Sequence, residues 1–256
     1  MGFQEEIKRK KDKEKIVVLT AYDFQIAKIL DEMQIDLILV GDSLGMVVQG
    51  NPDTKHVTMR DMVYHTRAVA RGVRNTPIIG DLPINSCNTV DDALKNAMKF
   101  LKAGASGVKI EGNKPKVVKA LVKAGIPTMG HVGMLPQTAE SYRLKGKTTE
   151  EAEKILQDAI ELDAEGVFSI VLECIPQSLA KKITERVKTP TIGIGAGKYC
   201  DGQVLVINDM LGLDESFKPK FVKRYANLNA VVKNAVGKFK EEVFAGKYPD
   251  EEHTYH

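Results

Sequence analysis

Short apolar segments rich in β-branched residues alternate with helical segments along this chain, and that alternation limits the possible folds more than any other feature. The predicted strands recur about every 20 to 40 residues, and parallel strands need crossover connections of this size. The predicted strands are Lys15–Thr20, Leu37–Gly41, Pro77–Asp81, Gly107–Glu111, Pro127–His131, Gly166–Glu173, Pro190–Ile194 and Gln203–Val206. Eight such units predict an α/β fold, a (β/α)8 TIM barrel.

The helical segments fit between these strands, with one additional helix at the N-terminus. Asp23 is predicted to cap the helix after strand one, and Thr58 to cap a later helix, with Asp61 completing a capping box. The other predicted helices are Gln4–Lys11, Val90–Ala103, Pro115–Ala124, Thr149–Asp163, Gln177–Val187 and a C-terminal region from Pro219 to Phe244. The long loop Leu44–Val57 is predicted to be a functional lid, and a second interrupted loop is predicted over Val132–Thr148.

The length of 256 residues suits one domain over residues 1–256, with a tail from about residue 246 predicted to be extended. The alternative is a doubly wound open sheet. Against it, no glycine-rich dinucleotide fingerprint follows strand one, where Thr20-Ala-Tyr-Asp23 stands instead.

Composition excludes some classes of partner. The 37 basic and 34 acidic residues are spread along the chain, and the net charge of only +3 gives no basic face for nucleic acid. Three cysteines, Cys87, Cys174 and Cys200, form no paired motif, which favours free thiols in a reducing compartment. With no signal-peptide pattern and no long apolar stretch, we expect a cytoplasmic protein without membrane contact.

Three apolar strands end at an acidic residue, namely Asp42, Asp81 and Glu111. In a barrel, the carboxyl ends of neighbouring strands meet at one mouth, so these carboxylates should lie close together. Packed carboxylates repel one another unless a cation lies among them, and an oxygen-only ligand set selects a hard ion. The sequence therefore predicts a Mg²⁺ site, although an acid after a strand can also be a simple helix cap. Because Mg²⁺ retains water, we expect only some of the three to bind it directly.

Lys109 precedes Glu111 by two residues, so strand alternation places both side chains on the same side. It could form an ordinary ion pair with a neighbouring acid, or it could hold a substrate carboxylate or a developing enolate oxygen. Ser43, next to Asp42, could add a hydrogen bond through its hydroxyl or amide.

Glu173 ends an apolar strand, and a carboxylate in a partly apolar mouth should have a raised pKa. It is the candidate for proton transfer, with a helix N-terminal acid as the alternative. His131 is a weaker site candidate, since an isolated histidine is often structural. Tyr22 is either a core residue or a ligand hydroxyl, and Cys174 and Cys200 are expected to be apolar fillers.

At these residues the sequence resembles the ketopantoate hydroxymethyltransferase family. The resemblance spans nearly the whole chain, from the predicted first strand to Tyr248-Pro-Asp-Glu-Glu-His253. Further blocks that carry it are Leu19-Thr-Ala-Tyr-Asp23, Val40-Gly-Asp-Ser-Leu-Gly-Met-Val-Val48, Gly80-Asp-Leu-Pro83, Val108-Lys-Ile-Glu-Gly112, Gly130-His-Val-Gly133, Leu135-Pro-Gln137, Leu172-Glu173, Ile192-Gly-Ile-Gly-Ala-Gly197, Asp201-Gly-Gln203 and Pro219-Lys-Phe-Val-Lys-Arg-Tyr225. Several long blocks in order are far more specific than one short motif.

The resemblance implies transfer of a hydroxymethyl group from 5,10-methylenetetrahydrofolate to 3-methyl-2-oxobutanoate, giving 2-dehydropantoate. It implies one Mg²⁺ per subunit at Asp42, Asp81 and Glu111, with Glu173 as proton acceptor. The 2-oxo acid would contact Asp42, Ser43, Asp81 and Lys109. The resemblance also implies a large homo-oligomer, usually a decamer.

Three rival functions remain at this point. Barrel lyases related to isocitrate lyase and phosphoenolpyruvate mutase share a Mg²⁺ site of this kind, but their Lys-Lys-Cys-Gly-His block is missing here. Lys109 could instead form a Schiff base with substrate. A third possibility is a non-catalytic barrel that binds the oxo acid without turnover.

Overall fold

A computed structural model of the chain describes residues 2–216 and 218–256. Eight parallel strands close into a barrel in which each strand pairs with the next along the chain and β8 pairs with β1. The strands are β1 (Ile16–Thr20), β2 (Leu37–Val40), β3 (Ile78–Asp81), β4 (Gly107–Lys109), β5 (Thr128–Gly133), β6 (Ser169–Glu173), β7 (Thr191–Ile194) and β8 (Gly202–Leu205). The predicted TIM barrel is confirmed, and the open sheet is wrong.

Helices lie between consecutive strands from β1 to β7, one more precedes the barrel, and two follow β8. The α-helices are α1 (Phe3–Lys10), α2 (Phe24–Glu32), α3 (Leu44–Val47), α4 (Met59–Gly72), α5 (Val90–Lys102), α6 (Pro115–Lys123), α7 (Thr149–Ala164), α8 (Gln177–Arg186), α9 (Ile207–Leu211) and α10 (Leu228–Phe244). The predicted caps are present: Asp23 accepts from the backbone N–H of Ile26, and Thr58 with Asp61 forms a capping box.

The first helix packs on the core at the end where the strands begin. Ile7 is buried in a cluster of apolar residues from the strands, and Phe3 makes an edge-to-face contact with Phe168 at 5.4 Å. Lys11, just after α1, forms an ion pair of 3.1 Å with the buried Asp201. Helix α1 therefore closes the amino end of the barrel, and the candidate site residues lie at the opposite, carboxyl end of the strands.

Several predicted boundaries differ from the observed ones. Strand four ends at Lys109, because the chain beyond it leads into a turn at Gly112, where φ is +80°. Strand six begins at Ser169, since Gly166 and the next residue donate to carbonyls of the last turn of α7 and so close that helix. The predicted loop after β2 contains the short helix α3.

The C-terminal region also departs from its prediction. The long helix begins at Leu228 rather than near Pro219, with Asn227 accepting from the N–H of Ala230 as its cap. Helix α9 was not predicted, and the tail predicted to be extended contains a 3-10 turn, Glu251–His253, capped by Asp250.

The chain divides into two compact units, Met1–Val206, which contains the whole barrel, and Ile207–His256. The single domain expected over residues 1–256 stays a prediction. Among the described helices, none is both long enough and apolar enough to cross a bilayer.

Candidate active site

The acids predicted to converge do lie at the carboxyl ends of adjacent strands, and all three are buried. Asp42 follows β2, Asp81 is the last residue of β3, and Glu111 follows β4. Gln137 donates hydrogen bonds to both Asp42 and Glu111, and the backbone N–H of Asp42 donates to Asp81. The convergence predicted from the strand ends is therefore found.

Lys109 forms the ion pair that the sequence allowed, with Asp81. The two residues are register partners on β3 and β4, and Nζ of Lys109 lies 2.7 Å from Oδ2 of Asp81. Burial alone would lower the pKa of Lys109, but the charges of Asp81, Asp42 and Glu111 outweigh burial and raise it. Lys109 therefore stays a cation inside the mouth.

Gln137 also joins the acids, and sequence reasoning did not assign it a role. Its backbone N–H donates to Oε1 of Glu111 at 2.9 Å, and Nε2 donates to Oδ2 of Asp42 at 2.8 Å and to the carbonyl of Leu82 at 3.0 Å. Its place in the block Leu135-Pro-Gln137 was the only signal in the sequence.

The cluster carries more negative groups than its own donors can satisfy. Oδ1 of Asp81 and Oε2 of Glu111 are buried without a hydrogen-bond partner among the described residues. Burial, followed by the charge of Asp81, raises the pKa of Asp42 to about 7. Burial also raises the pKa of Glu111 to about 9, against the opposing charge of Lys109. Binding of a proton or a cation would therefore stabilise this cluster of buried carboxylates.

These residues fit a hard cation in donor chemistry, because they supply carboxylate oxygens, two of them unpartnered. In the described part of the chain, no group of three His, Cys, Asp or Glu side chains is placed so that it could hold a metal ion as it stands. Mg²⁺ is often held by only one or two carboxylates, with water and substrate completing its shell, so a three-ligand cage is not required.

Glu173, the last residue of β6, lies beside His131, two residues before the end of β5. Nε2 of His131 is 3.1 Å from Oε2 of Glu173, and Nδ1 is 3.8 Å from Oε2 of Glu111. Neither contact has hydrogen-bond geometry, so both ring nitrogens are buried and unsatisfied within the described chain. Burial and the charge of Lys109 lower the pKa of His131, so a neutral ring is expected at pH 7.

Burial raises the pKa of Glu173 to about 8, as predicted for an acid in an apolar mouth. Its side chain is 15% exposed, so it can still reach a molecule entering the barrel. A carboxyl group with this pKa is suited to exchange protons near neutral pH.

Tyr22 and Ser43 lie at the same end of the barrel and are joined by a hydrogen bond. The Tyr22 hydroxyl is 2.8 Å from Oγ of Ser43, and Tyr22 is buried. The ring nitrogen of His65 donates to the Tyr22 carbonyl. Tyr22 therefore packs in the core and also orients the hydroxyl of Ser43, next to Asp42.

The loop between β5 and α7, residues 134–148, crosses the barrel mouth, and we name it the mouth strap. Gln137 ties its beginning to the acids, the Tyr142 hydroxyl donates to Sδ of Met46 at 3.6 Å, and the Lys145 N–H donates to the Cys174 carbonyl at 2.9 Å. Burial, then the nearby acids, raises the pKa of Tyr142 to about 12. The half-exposed Tyr142 therefore lies near enough to the acids for their charges to raise the pKa of its hydroxyl.

The model of the family named ketopantoate hydroxymethyltransferase matches residues 3–251. The chain belongs to the ketopantoate hydroxymethyltransferase family. A relative from Syntrophomonas wolfei is 50% identical over 254 residues, covering 96% of this chain and 92% of its own, and is called 3-methyl-2-oxobutanoate hydroxymethyltransferase. A relative of the same name from Ignicoccus hospitalis is 52% identical over 251 residues, covering 96% and 95% of the two chains. Family membership makes this chain a transferase.

Solved structures with low sequence identity share the fold. Phosphonopyruvate hydrolase in complex with oxalate and Mg²⁺ superposes with a TM-score of 0.65 at 13% identity, covering 99% of this chain and 93% of that one. A 2,3-dimethylmalate lyase of the phosphoenolpyruvate mutase/isocitrate lyase superfamily gives a TM-score of 0.61 at 13% identity, covering 99% and 92%. These similarities support the barrel architecture alone.

Proposed function

We propose that this chain transfers a hydroxymethyl group from 5,10-methylenetetrahydrofolate to the enolate of 3-methyl-2-oxobutanoate and releases 2-dehydropantoate. The observation that carries the proposal is the buried cluster of Asp42, Asp81, Glu111 and Lys109. The curated relatives that bear the transferase name are about half identical to this chain over nearly all of its length.

The cation at this site is proposed to be Mg²⁺, held by Asp42, Asp81 and Glu111 directly or through water. Oδ1 of Asp81 and Oε2 of Glu111 are the oxygens available to it. When bound, Mg²⁺ supplies Lewis acidity toward the oxygens of a 2-oxo acid.

Lys109 is proposed to stabilise the negative charge of the substrate. Its ammonium group is buried, and a charge-assisted bond in a site that excludes water is strong. Enolate formation places charge on the carbonyl oxygen, so a fixed cation at this position favours removal of the C3 proton. The Tyr22-oriented hydroxyl of Ser43 would help to hold the oxo acid.

Glu173 is proposed to accept and return protons. Its raised pKa gives it affinity for a proton near neutral pH, and the neighbouring His131 restricts where its carboxylate can lie. The enolate carbon forms the new C–C bond to the methylene carbon from the folate, and both C–N bonds of that carbon break. One water supplies the hydroxyl group of the product, and tetrahydrofolate leaves after its two nitrogens take up one proton from that water and the proton lost from C3. His131 or a water molecule remains an alternative acceptor for the first proton.

One assay tests this function. Folded protein is incubated with 3-methyl-2-oxobutanoate, 5,10-methylenetetrahydrofolate and Mg²⁺, and 2-dehydropantoate is measured; EDTA should stop its formation and Mg²⁺ should restore it. Borohydride trapping of substrate on Lys109, with indifference to EDTA, would support a Schiff base instead. Binding of the oxo acid without product would support a non-catalytic barrel.

A homo-oligomer is also proposed, with a decamer as the expected form. Helix α10 has no buried residue, and its apolar side chains Val231, Val236 and Phe239 are each more than half exposed. Exposed apolar residues repeated along a 17-residue helix are typical of an interaction surface. Light scattering after size exclusion would give ten times the chain mass of 28.2 kDa for a decamer, and a monomer mass would contradict the proposal.

A further inference from the structure

Gln137 lies where the mouth strap meets the acid cluster. It is only 3% exposed, and every N–H it has is used: one from the backbone and two from the side-chain amide. Glu111 and Asp42 each accept one of these bonds, and the Leu82 carbonyl accepts the third. No other described residue is shown donating to both of these acids.

The hydrogen bonds from Gln137 restrict the orientation of the two carboxylates. Because Gln137 is uncharged, they do not neutralise the negative charge of either group. Glu111 binds Gln137 through Oε1, which leaves Oε2 buried and unpartnered within the described chain. A lysine in place of Gln137 would neutralise one acid and compete with a cation. The neutral side-chain amide instead orients Asp42, while the backbone N–H orients Glu111, and the charge of both carboxylates stays available, as with outer-shell partners of metal ligands.

The same residue fixes the mouth strap. From Gln137 the strap continues to Tyr142, which contacts Met46 beyond β2, and then to Lys145, which bonds the carbonyl of Cys174 after β6. The side-chain amide of Gln137 donates to Asp42, after β2, and to the carbonyl of Leu82, after β3. These two hydrogen bonds hold the beginning of the mouth strap against that side of the barrel mouth.

We propose that Gln137 is a positioning residue that orients Asp42 and Glu111 for a shared divalent cation and couples that site to the order of the mouth strap. The inference rests on the proposed metal site. It assigns to Gln137 no contact with the cation or the substrate.

The test compares Mg²⁺ binding to wild-type protein and to Gln137→Met, which keeps the length and loses the side-chain donors. We expect calorimetry to give a dissociation constant about 10- to 100-fold weaker for Gln137→Met. Product formation at low Mg²⁺ should fall, and excess Mg²⁺ should restore most of the wild-type kcat. A merely structural role would lower the melting temperature of metal-free protein and leave the dissociation constant unchanged.

Limited proteolysis supplies a readout independent of activity. Trypsin sites at Arg143, Lys145 and Lys147 lie in the strap, so metal-free Gln137→Met should be cut there faster than metal-free wild type. Peptide masses identify the cleaved bonds.

Asn113→Leu is the matched control, because the Asn113 amide also bridges two acids, Asp158 and Glu161, which lie on α7. It should leave Mg²⁺ binding and cleavage of the strap unchanged. Gln137→Asn, whose amide is one methylene shorter, is the second variant should Gln137→Met fail to fold, and it too should bind Mg²⁺ more weakly.

Equal Mg²⁺ affinity in wild type and a folded Gln137 variant would overturn this inference and leave the proposed function standing. Absence of Mg²⁺ binding by the wild type would instead overturn the metal site itself, and the inference with it.

Discussion

Lys109 and Asp81 are paired across neighbouring strands at the barrel mouth, with Nζ 2.7 Å from Oδ2 and both side chains almost fully buried. An ion pair this far from water is costly unless each charge has further partners. Asp81 accepts a long bond from the N–H of Asp42, and its second oxygen has no partner among the described residues. The unpartnered oxygen of Asp81 can therefore bind a further positively charged group.

Replacing Lys109 with methionine tests its proposed role toward the oxo acid. The change keeps most of the volume and removes the cation, so we expect kcat/KM to fall about 10²- to 10³-fold, with KM for the oxo acid raised. Steady-state kinetics measure both. Lys119→Met is the control, because Lys119 is 72% exposed and pairs with Glu165 on the surface, where such pairs contribute little. Equal loss in both variants would contradict a specific role.

Replacing Glu173 with glutamine tests proton transfer. We expect kcat to fall about 10²- to 10⁴-fold, while Mg²⁺ affinity changes much less. The decisive measurement is deuterium exchange at C3 of 3-methyl-2-oxobutanoate in D₂O with Mg²⁺ and without folate, which isolates enolate formation.

If Glu173→Gln exchanges deuterium at the wild-type rate but no longer forms product, Glu173 acts after enolate formation and another group removes the first proton. Wild-type rates of both exchange and product formation would remove Glu173 from the mechanism.

Much of the barrel could be predicted from the sequence, because strand period and helix spacing are local properties. The acids were found by one general rule, that the ends of parallel strands meet. Gln137 could not be found in this way: it lies 26 residues from Glu111 and 95 from Asp42, in a loop without periodicity. The path of such a loop is set by its tertiary contacts, which no local pattern records.

The raised pKa values in the acid cluster predict how pH affects the metal-free protein. Asp42, with a pKa of about 7, and Glu111, with a pKa of about 9, keep protons in the folded state. The unfolded chain releases those protons near pH 4. Because the folded state then binds more protons than the unfolded state, its stability should fall as pH rises from about 4 to 9. Lys109, whose pKa is raised, stays charged throughout this range.

Magnesium should reverse this trend, since it competes with those protons. The increase in melting temperature caused by Mg²⁺ should therefore be larger at pH 9 than at pH 6, and the dissociation constant should decrease as pH rises. Thermal melts and calorimetry in matched buffers check both. A dissociation constant independent of pH would show that the cluster binds no proton that the cation displaces.

Gly80 precedes Asp81 in β3, and the ring of Phe100 from α5 packs directly against it. A Cβ at position 80 would lie 2.2 to 2.8 Å from three ring carbons of Phe100, so Gly80→Ala must displace the ring or the strand. We expect a loss of about 1–3 kcal/mol in the free energy of unfolding. Because the strand carries Asp81, Mg²⁺ affinity should weaken as well.

Gly237→Ala is the matched control for Gly80→Ala, since Gly237 lies inside helix α10 and, apart from the adjacent residues and the local helix backbone, no atom of the described chain lies within 4 Å of a new Cβ there. Alanine favours a helix over glycine by about 0.8–1 kcal/mol, so this variant should be at least as stable as wild type and bind Mg²⁺ normally. Urea titration and calorimetry compare the two variants. Full stability of Gly80→Ala would mean that Phe100 can move without cost, and unchanged Mg²⁺ binding by that variant would mean that Asp81 does not depend on the contact.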